Sequence, residues 1–302
     1  MHTTTTNATR ITNVAIHPAT EAAELYSAAR VAGFPANPSL NLLRYPGKTI
    51  EHLTFTHVYL GGAAAWRPHD IEQIDWALPA AMCDSHLNNV LAQYFPDGKP
   101  TAAFEPSWII EEPIADRVFR DTIEGIVATL DVSRFDLEST VLCLMLPRGV
   151  VLVDGDSTDQ NGVDSEHGLG GYHGSIHVKR HTIYYAVAVY SEGSNGIAVF
   201  PQGWKNTCAV FYHELCEVRT DPDVEDAIRA GSSPHAHDFL GWYSPRGGEV
   251  GDIPLEEAGA NLSSVLKEVK LARGGKMVPV QLMWSNAVAG PEGPIARKHS
   301  SA

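Results

Sequence analysis

A histidine and two carboxylates that together can bind a metal ion and activate water lie within residues 213–217. His213 and Glu217 are four residues apart, so on a helix they share one face and can reach the same divalent ion. Glu214 is rotated by about 100° from His213 and can face an open coordination position as a general base. We therefore predict a metal site in which His213 and Glu217 are ligands and Glu214 is catalytic.

The element that must hold these side chains is a helix over residues 206–221. Asn206 can cap its start, and Pro222 ends it because proline disfavours the α conformation at the preceding residue. The motif follows the logic of the His-Glu-x-x-His zinc helix, with a carboxylate in place of the second histidine. Zn²⁺ accepts both nitrogen and carboxylate oxygen, so we predict zinc, although iron or manganese would suit the same donors.

The ion needs a third protein ligand, and three carboxylates are candidates. Glu249 is the first choice, because it lies on a glycine-flanked turn at residues 248–252, where backbone freedom lets a carboxylate approach an ion closely. Asp252 can ligate instead or support the site, since two residues three apart do not point to one spot unless the turn curls. Asp221 continues the helix face of Glu217 and is the third candidate.

Two residues that precede the helix can donate a hydrogen bond to a developing oxyanion. His173 follows a glycine-rich loop and can either ligate the metal or act as this donor. Tyr185 lies in an apolar stretch, residues 182–190, that predicts a strand buried on both faces. Its hydroxyl can play a similar donor role, although a tyrosine in a strand more often packs in the core.

Composition narrows the class of protein. The 302 residues, 44% hydrophobic and 19% charged, are typical of a globular protein with a substantial core. A net charge of −14 argues against nucleic acid or an anionic membrane as a partner, and no apolar run reaches the ~20 residues of a membrane helix. Residues 1–18 lack the apolar core of a signal peptide, and the four scattered cysteines predict reduced thiols, so we expect a cytoplasmic protein.

Hydrophobic periodicity predicts a mixed order of helices and strands, and hence an α+β fold. Residues 1–48 are expected to form a peripheral arm, residues 49–290 a single domain and residues 291–302 a disordered tail. The predicted elements are a strand at 50–60, a helix at 67–95 split by Pro79, a helix at 114–130, strands at 140–146 and 150–153, a loop at 154–171, and strands at 182–190 and 276–284. A short helix is also predicted at 19–32.

Several separated motifs resemble a group of HExxE zinc metallopeptidase-like proteins that are distantly similar to plant exordium-type, phosphate-induced proteins. The motifs lie at residues 146–150, 171–173, 185–187, 213–217, 220–222, 241–242, 248–252 and 281–286. The resemblance implies a zincin-like fold, in which a mixed sheet packs on the metal-binding helix. Its relatives are commonly exported, whereas residues 1–18 predict either a cytoplasmic protein or one whose leader has been removed.

The residues and the resemblance together predict a metal-dependent hydrolase that cleaves a peptide or a small amide. The metal would polarise the carbonyl and activate water, and Glu214 would transfer the proton to the leaving amine. Two alternatives stay open: a non-hydrolytic enzyme that uses iron or manganese, and a non-enzymatic binding protein of the exordium-like type. Metal analysis separates the binding protein from both enzymes, and anaerobic iron loading separates the two enzymes.

Overall fold

The computed structural model describes residues 34–85, 87–158, 162–271 and 275–293. The α-helices in these ranges are α1 (Pro68–Cys83), α2 (Arg120–Thr129), α3 (Gly203–Thr220), α4 (Val224–Ala230) and α5 (Asp252–Ala258). The strands are β1 (Leu43–Arg44), β2 (His52–Tyr59), β3 (Thr101–Ile109), β4 (Arg117–Phe119), β5 (Thr140–Leu146), β6 (Val151–Asp154), β7 (Val163–Asp164), β8 (Gly171–Val178), β9 (His181–Val189), β10 (Trp242–Tyr243), β11 (Leu266–Lys270), β12 (Met277–Gln281), β13 (Met283–Ser285) and β14 (Gly290–Glu292).

A five-stranded sheet with the order β3-β2-β5-β9-β8 is the centre of this α+β fold. Strands β2, β3, β5 and β9 are parallel to one another, and β8 runs antiparallel to β9 at one edge. Every residue of β5 is buried, as expected for a parallel strand covered on both faces. The antiparallel hairpin β8–β9 leaves the outer side of β8 unpaired in the sheet, next to α3.

The two faces of the sheet pack in separate clusters. Ala186 of β9 lies in the larger cluster with Phe211 and Leu215 of α3, which is buried along nearly its whole length. Tyr185 and its alternate neighbours face the opposite side, in a second cluster that includes residues of α2. The position of a residue along β8 or β9 therefore decides whether its side chain can reach α3.

The metal-motif helix forms as predicted, with one difference at its start. α3 ends at Thr220, and Asp221 leaves the helical conformation before Pro222, as the sequence indicates. The helix begins one turn earlier than expected, at Gly203. Asn206 therefore does not cap it. Its side-chain oxygen instead accepts hydrogen bonds from the backbone N–H groups of Val199 and Phe200, which fixes the loop that leads into the helix.

Pro79 does not split the first long helix. α1 continues through it to Cys83, because its inward face is buried in the core and this burial offsets one lost hydrogen bond. The chain breaks instead after Cys83, where the Asn88 side chain donates to the carbonyls of Ala81 and Met82. A 3₁₀ helix, Asn89–Tyr94, replaces the second half of the predicted helix.

Four other boundaries differ from the sequence-based expectation. In the 114–130 segment, the strand β4 precedes α2 and pairs with β6. The 154–171 loop contains β7 and a short 3₁₀ helix. The final strand is broken at Leu282 into β12 and β13, which pair with different partners. Pro291 and Glu292, assigned to the tail, are buried in β14, whereas residues 294–302 lie outside the described ranges.

The N-terminal arm is shorter than predicted where the structure describes it. Leu42 is fully buried, and β1 pairs with β10, so residues 42–45 belong to the domain. The helix expected at 19–32 lies outside the described residues. Cys143, Cys208 and Cys216 are buried and Cys83 is exposed, and all four are free thiols, as predicted. In the described part of the chain, no helix is both long and apolar enough to cross a membrane.

Candidate metal centre

The helix α3 presents its histidine and glutamates on one buried face. His213 Nε2 lies 3.1 Å from Glu217 Oε2, as the four-residue spacing predicts. Glu214 Oε1 lies 3.9 Å from His213 Nε2, beside this pair. These three residues are between 2% and 7% exposed, so their polar atoms are held out of bulk water. Burying such groups is costly unless they are compensated, and a bound cation is one compensation.

His173 joins this group from the edge strand β8. It pairs with Ala186, whose side chain packs towards α3, whereas its neighbour Tyr172 faces the other side of the sheet. His173 Nδ1 lies 3.2 Å from Glu214 Oε2 and 3.7 Å from Glu217 Oε2. The sheet thus brings His173 to the motif helix from 40 residues before it in the chain.

The glycine-flanked turn at residues 248–252, named the acidic turn below, closes the centre from the other side. Its two carboxylates, Glu249 and Asp252, lie near different histidines. Asp252 Oδ1 lies 3.8 Å from His213 Nε2, and Glu249 Oε1 lies 3.6 Å from His173 Nε2. Among the described residues, two groups of side chains can each jointly hold an ion, and we name them the metal-competent groups. One is His213 with Glu217 and Asp252, and the other is His173 with Glu217 and Glu249. The carboxylate that lies with His213 and Glu217 is therefore Asp252, whereas Glu249, the first choice from sequence, lies with His173.

Hydrogen bonds fix the orientation of the candidate ligands. Gln281 Nε2 donates to the Gly251 carbonyl at 2.6 Å, which leaves Gln281 Oε1 to accept from His213 Nδ1 at 3.1 Å. The other ring nitrogen of His213 is then free to ligate. Sequence reasoning assigned no role to Gln281, because it lies 68 residues from His213 and its only signal was its place in a resemblance motif.

Glu217 is oriented by the backbone of the acidic turn. Its Oε1 accepts hydrogen bonds from the N–H groups of Gly251 and Asp252, at 3.1 and 2.9 Å. Its Oε2 is thereby left to face His213 and His173. Hydrogen bonds of this kind hold a metal-ligating carboxylate in one rotamer, so the turn both carries candidate ligands and aligns a candidate from the helix.

Two of the predicted site residues have other contacts. The Asp221 carboxylate accepts from the Gly241 N–H at 2.7 Å, and its backbone carbonyl lies 3.2 Å from His173 Nε2. Asp221 belongs to neither metal-competent group and instead orients His173. Tyr185 lies on the opposite face of the sheet, where its hydroxyl donates to Glu124 Oε1 at 3.2 Å, so it does not reach the centre.

The electrostatics of the centre reflect an excess of buried negative charge. Burial opposes protonation of His213, but Glu217 and Glu214 raise its pKa to about 10. Burial, followed by repulsion from Glu217, raises the pKa of Asp252 to about 6 and holds the pKa of Glu249 well above its usual range. No lysine or arginine of the described ranges lies within 4.0 Å of these carboxylates, so His173 and His213 are their cationic neighbours, and a divalent cation would compensate the remaining negative charge.

The metal-competent side chains line a cavity of about 250 Å³ that also reaches Arg120, a residue that sequence reasoning did not single out. The Arg120 guanidinium forms ion pairs with Asp154 and Glu225, so its charge is already compensated. A second cavity of about 170 Å³ shares His213, Glu214 and Asp252 with the first. The candidate ligands therefore border two neighbouring cavities.

Gly251 gives a direct test of the packing around the ligands. A Cβ atom at this position would lie 2.5 Å from His213 Nδ1 and 2.9 Å from Glu217 Oε1. The backbone φ of −96° suits alanine, so the clash with the two ligands is the main effect. We expect Gly251→Ala to weaken Zn²⁺ affinity by ~10–100-fold, as measured by competitive titration against a chromophoric chelator.

The matched control is Gly125→Ala in α2, where an added Cβ meets nothing within 4 Å. This substitution should leave the zinc affinity unchanged. Equal affinities for the Gly251→Ala variant and the unmodified protein would show that His213 and Glu217 are not the ligands.

Comparisons with known proteins give little more. No family model matches the chain, and no curated protein sequence matches it. Among solved structures, it is similar to the crystal structure of metalloproteinase-II from Bacteroides fragilis, with 12% identity and a TM-score of 0.29. The match covers 74% of this chain and 55% of that one, so this chain spans about half the length of that protein. A TM-score this low supports no conclusion about activity.

Proposed function

We propose that this protein is a metal-dependent hydrolase of a peptide or amide bond, with zinc as its ion. The observation that carries the proposal is the buried contact of His213 with Glu217 at 3.1 Å, with the Glu214 carboxylate directly beside it. His213, Glu217 and Asp252 would hold the ion, and this set of one nitrogen and two oxygen donors suits Zn²⁺. Iron and manganese accept similar donors, so metal analysis must decide the identity of the ion.

The architecture supports a zincin-like assignment. The mixed sheet packs on α3, and the edge strand β8 lies next to the metal-binding face of that helix. This arrangement agrees with the one that the resemblance to HExxE metallopeptidase-like proteins implies. The more distant resemblance to exordium-type proteins stays a prediction from the sequence motifs alone.

In the proposed reaction, Glu214 is the general base. A bound divalent ion would polarise the scissile carbonyl and lower the pKa of water. Glu214 accepts the proton of the attacking water and delivers it to the leaving amine. The Asp221 carbonyl accepts a hydrogen bond from His173 Nε2 and so fixes the ring, which places His173 Nδ1 3.2 Å from Glu214 Oε2.

The adjoining cavity indicates which substrates fit. It measures about 170 Å³ and is lined mainly by apolar side chains, including Leu169, Ile197, Val210, Leu255 and Leu266. An apolar cavity of ~150 Å³ holds a group the size of benzene. Because His213 and Glu214 also line this cavity, we propose that it takes one large apolar side chain next to the scissile bond.

Ala209 lines this cavity and allows the size preference to be tested. Leucine at this position would fill part of the space, so Ala209→Leu should lower kcat/KM for peptides with leucine or phenylalanine beside the cleaved bond by ~10–200-fold. Peptides with alanine at that position should be cleaved at nearly the original rate. Equal losses for both peptides would argue that the cavity does not bind the substrate side chain.

The proposed function itself is tested with a peptide library. Protein loaded with Zn²⁺ is incubated with the library, and cleavage products are identified by mass spectrometry. We expect cleavage that stops when the ion is removed by a chelator and returns when Zn²⁺ is restored. Loaded protein that retains its ion but cleaves no peptide or amide in the library would contradict the hydrolase assignment.

A further inference from the structure

We propose that the centre binds two divalent ions, joined by the carboxylate of Glu217. The inference shares Glu217 with the proposed function but goes beyond it, because the hydrolase needs only the ion at His213. Glu217 is common to both metal-competent groups, one with His213 and Asp252 and the other with His173 and Glu249. Each group supplies one imidazole and two carboxylates, so each has the donors of a separate site.

The spacing around Glu217 fits a shared ligand. Its Oε2 lies 3.1 Å from His213 Nε2 and 3.7 Å from His173 Nδ1. Two atoms that bind one ion at ~2.1 Å in tetrahedral geometry are about 3.4 Å apart. Glu217 Oε2 is thus at ligand spacing from both histidines, while Oε1 is occupied by backbone N–H groups. Two-metal sites hold their ions ~3.5–4 Å apart, a separation that a carboxylate can span.

Each histidine is oriented with one nitrogen available for its own ion. His213 Nδ1 contacts Gln281 Oε1, and His173 Nε2 contacts the backbone carbonyl of Asp221. Both acceptors fix a proton on the contacted nitrogen, so the lone pairs of His213 Nε2 and His173 Nδ1 face the glutamates. His173 is thus oriented as His213 is, but with the roles of the two ring nitrogens exchanged.

Glu249 provides an independent reason for a second ion. It is 6% exposed, and its Oε1 accepts no hydrogen bond from the described residues. Glu249 lines the same cavity as His173, and its Oε1 lies 3.6 Å from the His173 ring at Nε2, the nitrogen that also contacts the Asp221 carbonyl. A buried carboxylate oxygen without a partner costs ~1–3 kcal/mol or more, and binding to an ion would satisfy it. The His213 group cannot supply this ion, because Glu249 is not part of it.

The charges of the centre also favour two ions. Glu214, Glu217, Glu249 and Asp252 are four carboxylates, and their ion-pair contacts within the described ranges are with histidines only. One divalent ion would compensate half of the negative charge when all four are ionised, and two would compensate all of it. Buried charges are retained at low cost only when they are paired, so the second ion removes a substantial penalty.

The test uses Mn²⁺ as the only added metal. Full-length protein is loaded, dialysed and counted by elemental mass spectrometry, and its electron paramagnetic resonance spectrum is recorded at each equivalent. We expect two ions per chain and a spectrum of exchange-coupled manganese at the second equivalent. One ion per chain would overturn the proposal, and two ions with only uncoupled six-line spectra would overturn the bridging role of Glu217.

Variants assign the second ion to its ligands. Glu249→Gln keeps the size of the side chain but removes a charged ligand, so retention should fall from two ions to one and the coupled spectrum should disappear. Glu256→Gln, on the exposed side of α5, is the control and should retain two. Two coupled ions in Glu249→Gln would overturn the assignment.

The two proposals fail in different ways. An unmodified chain that binds one ion and cleaves peptides would refute only this inference, whereas a chain without hydrolysis would refute the proposed function.

Discussion

Glu214→Gln is expected to lower kcat for peptide hydrolysis by at least ~10²-fold while the bound ion is retained. Glutamine keeps the shape of the side chain but cannot accept the proton of water. Glu214 lies 3.2 Å from His173 and 3.9 Å from His213, yet it belongs to neither metal-competent group. Its loss should therefore affect the chemistry far more than the affinity for the ion.

The measurement pairs steady-state kinetics on a cleaved peptide with metal content by elemental mass spectrometry. Glu256→Gln, exposed and one turn beyond Asp252 in α5, is the matched control and should keep both properties. If the Glu214→Gln protein were fully active, the general-base mechanism would be excluded. If it were inactive because the ion was lost, Glu214 would have to be reassigned as a ligand.

Glu217→Gln is expected to abolish stable metal binding. The amide oxygen can still accept the hydrogen bonds of Gly251 and Asp252, as Glu217 Oε1 does, so the turn should keep its position. An NH₂ group then replaces the oxygen that faces His213 and His173, and it cannot ligate an ion. Loss of a charged ligand should exceed the ~10–100-fold effect of removing a supporting residue.

Competitive titration with Zn²⁺ measures this effect, and circular dichroism checks that the fold is kept. Glu138→Gln, whose side chain is 87% exposed, serves as the control. Because Glu217 belongs to both metal-competent groups, this prediction holds whether the centre binds one ion or two. If the zinc affinity of the Glu217→Gln protein were within a few-fold of that of the unmodified protein, α3 would not be part of the metal site.

Part of the centre was predictable because its geometry is local. His213, Glu214 and Glu217 lie on one helix, and the helical repeat alone places the first and third side chains together. The observed 3.1 Å contact follows from that repeat. The end of α3 at Thr220 is local as well, since Pro222 restricts its preceding residue.

The sequence identified the acidic turn as part of the candidate site, but it did not predict the directions of the two carboxylate side chains. Gly248 adopts a φ of +91°, and the Trp284 N–H donates to the Val250 carbonyl, so β13 holds the turn in place. The two carboxylates are consequently sent towards different histidines, Asp252 to His213 and Glu249 to His173. A contact between segments more than 30 residues apart decides this, and no local pattern encodes it.

The remaining parts of the centre depend on the sheet. β9 is buried on both faces apart from its first two residues, so its sequence has no alternation to show which side chains face α3. Pairing with β8 turns His173 towards the helix and Tyr185 away from it. The sequence by itself thus determined one candidate metal-binding helix, whereas tertiary packing selected its partners, because strand register and chain crossings are set by long-range contacts.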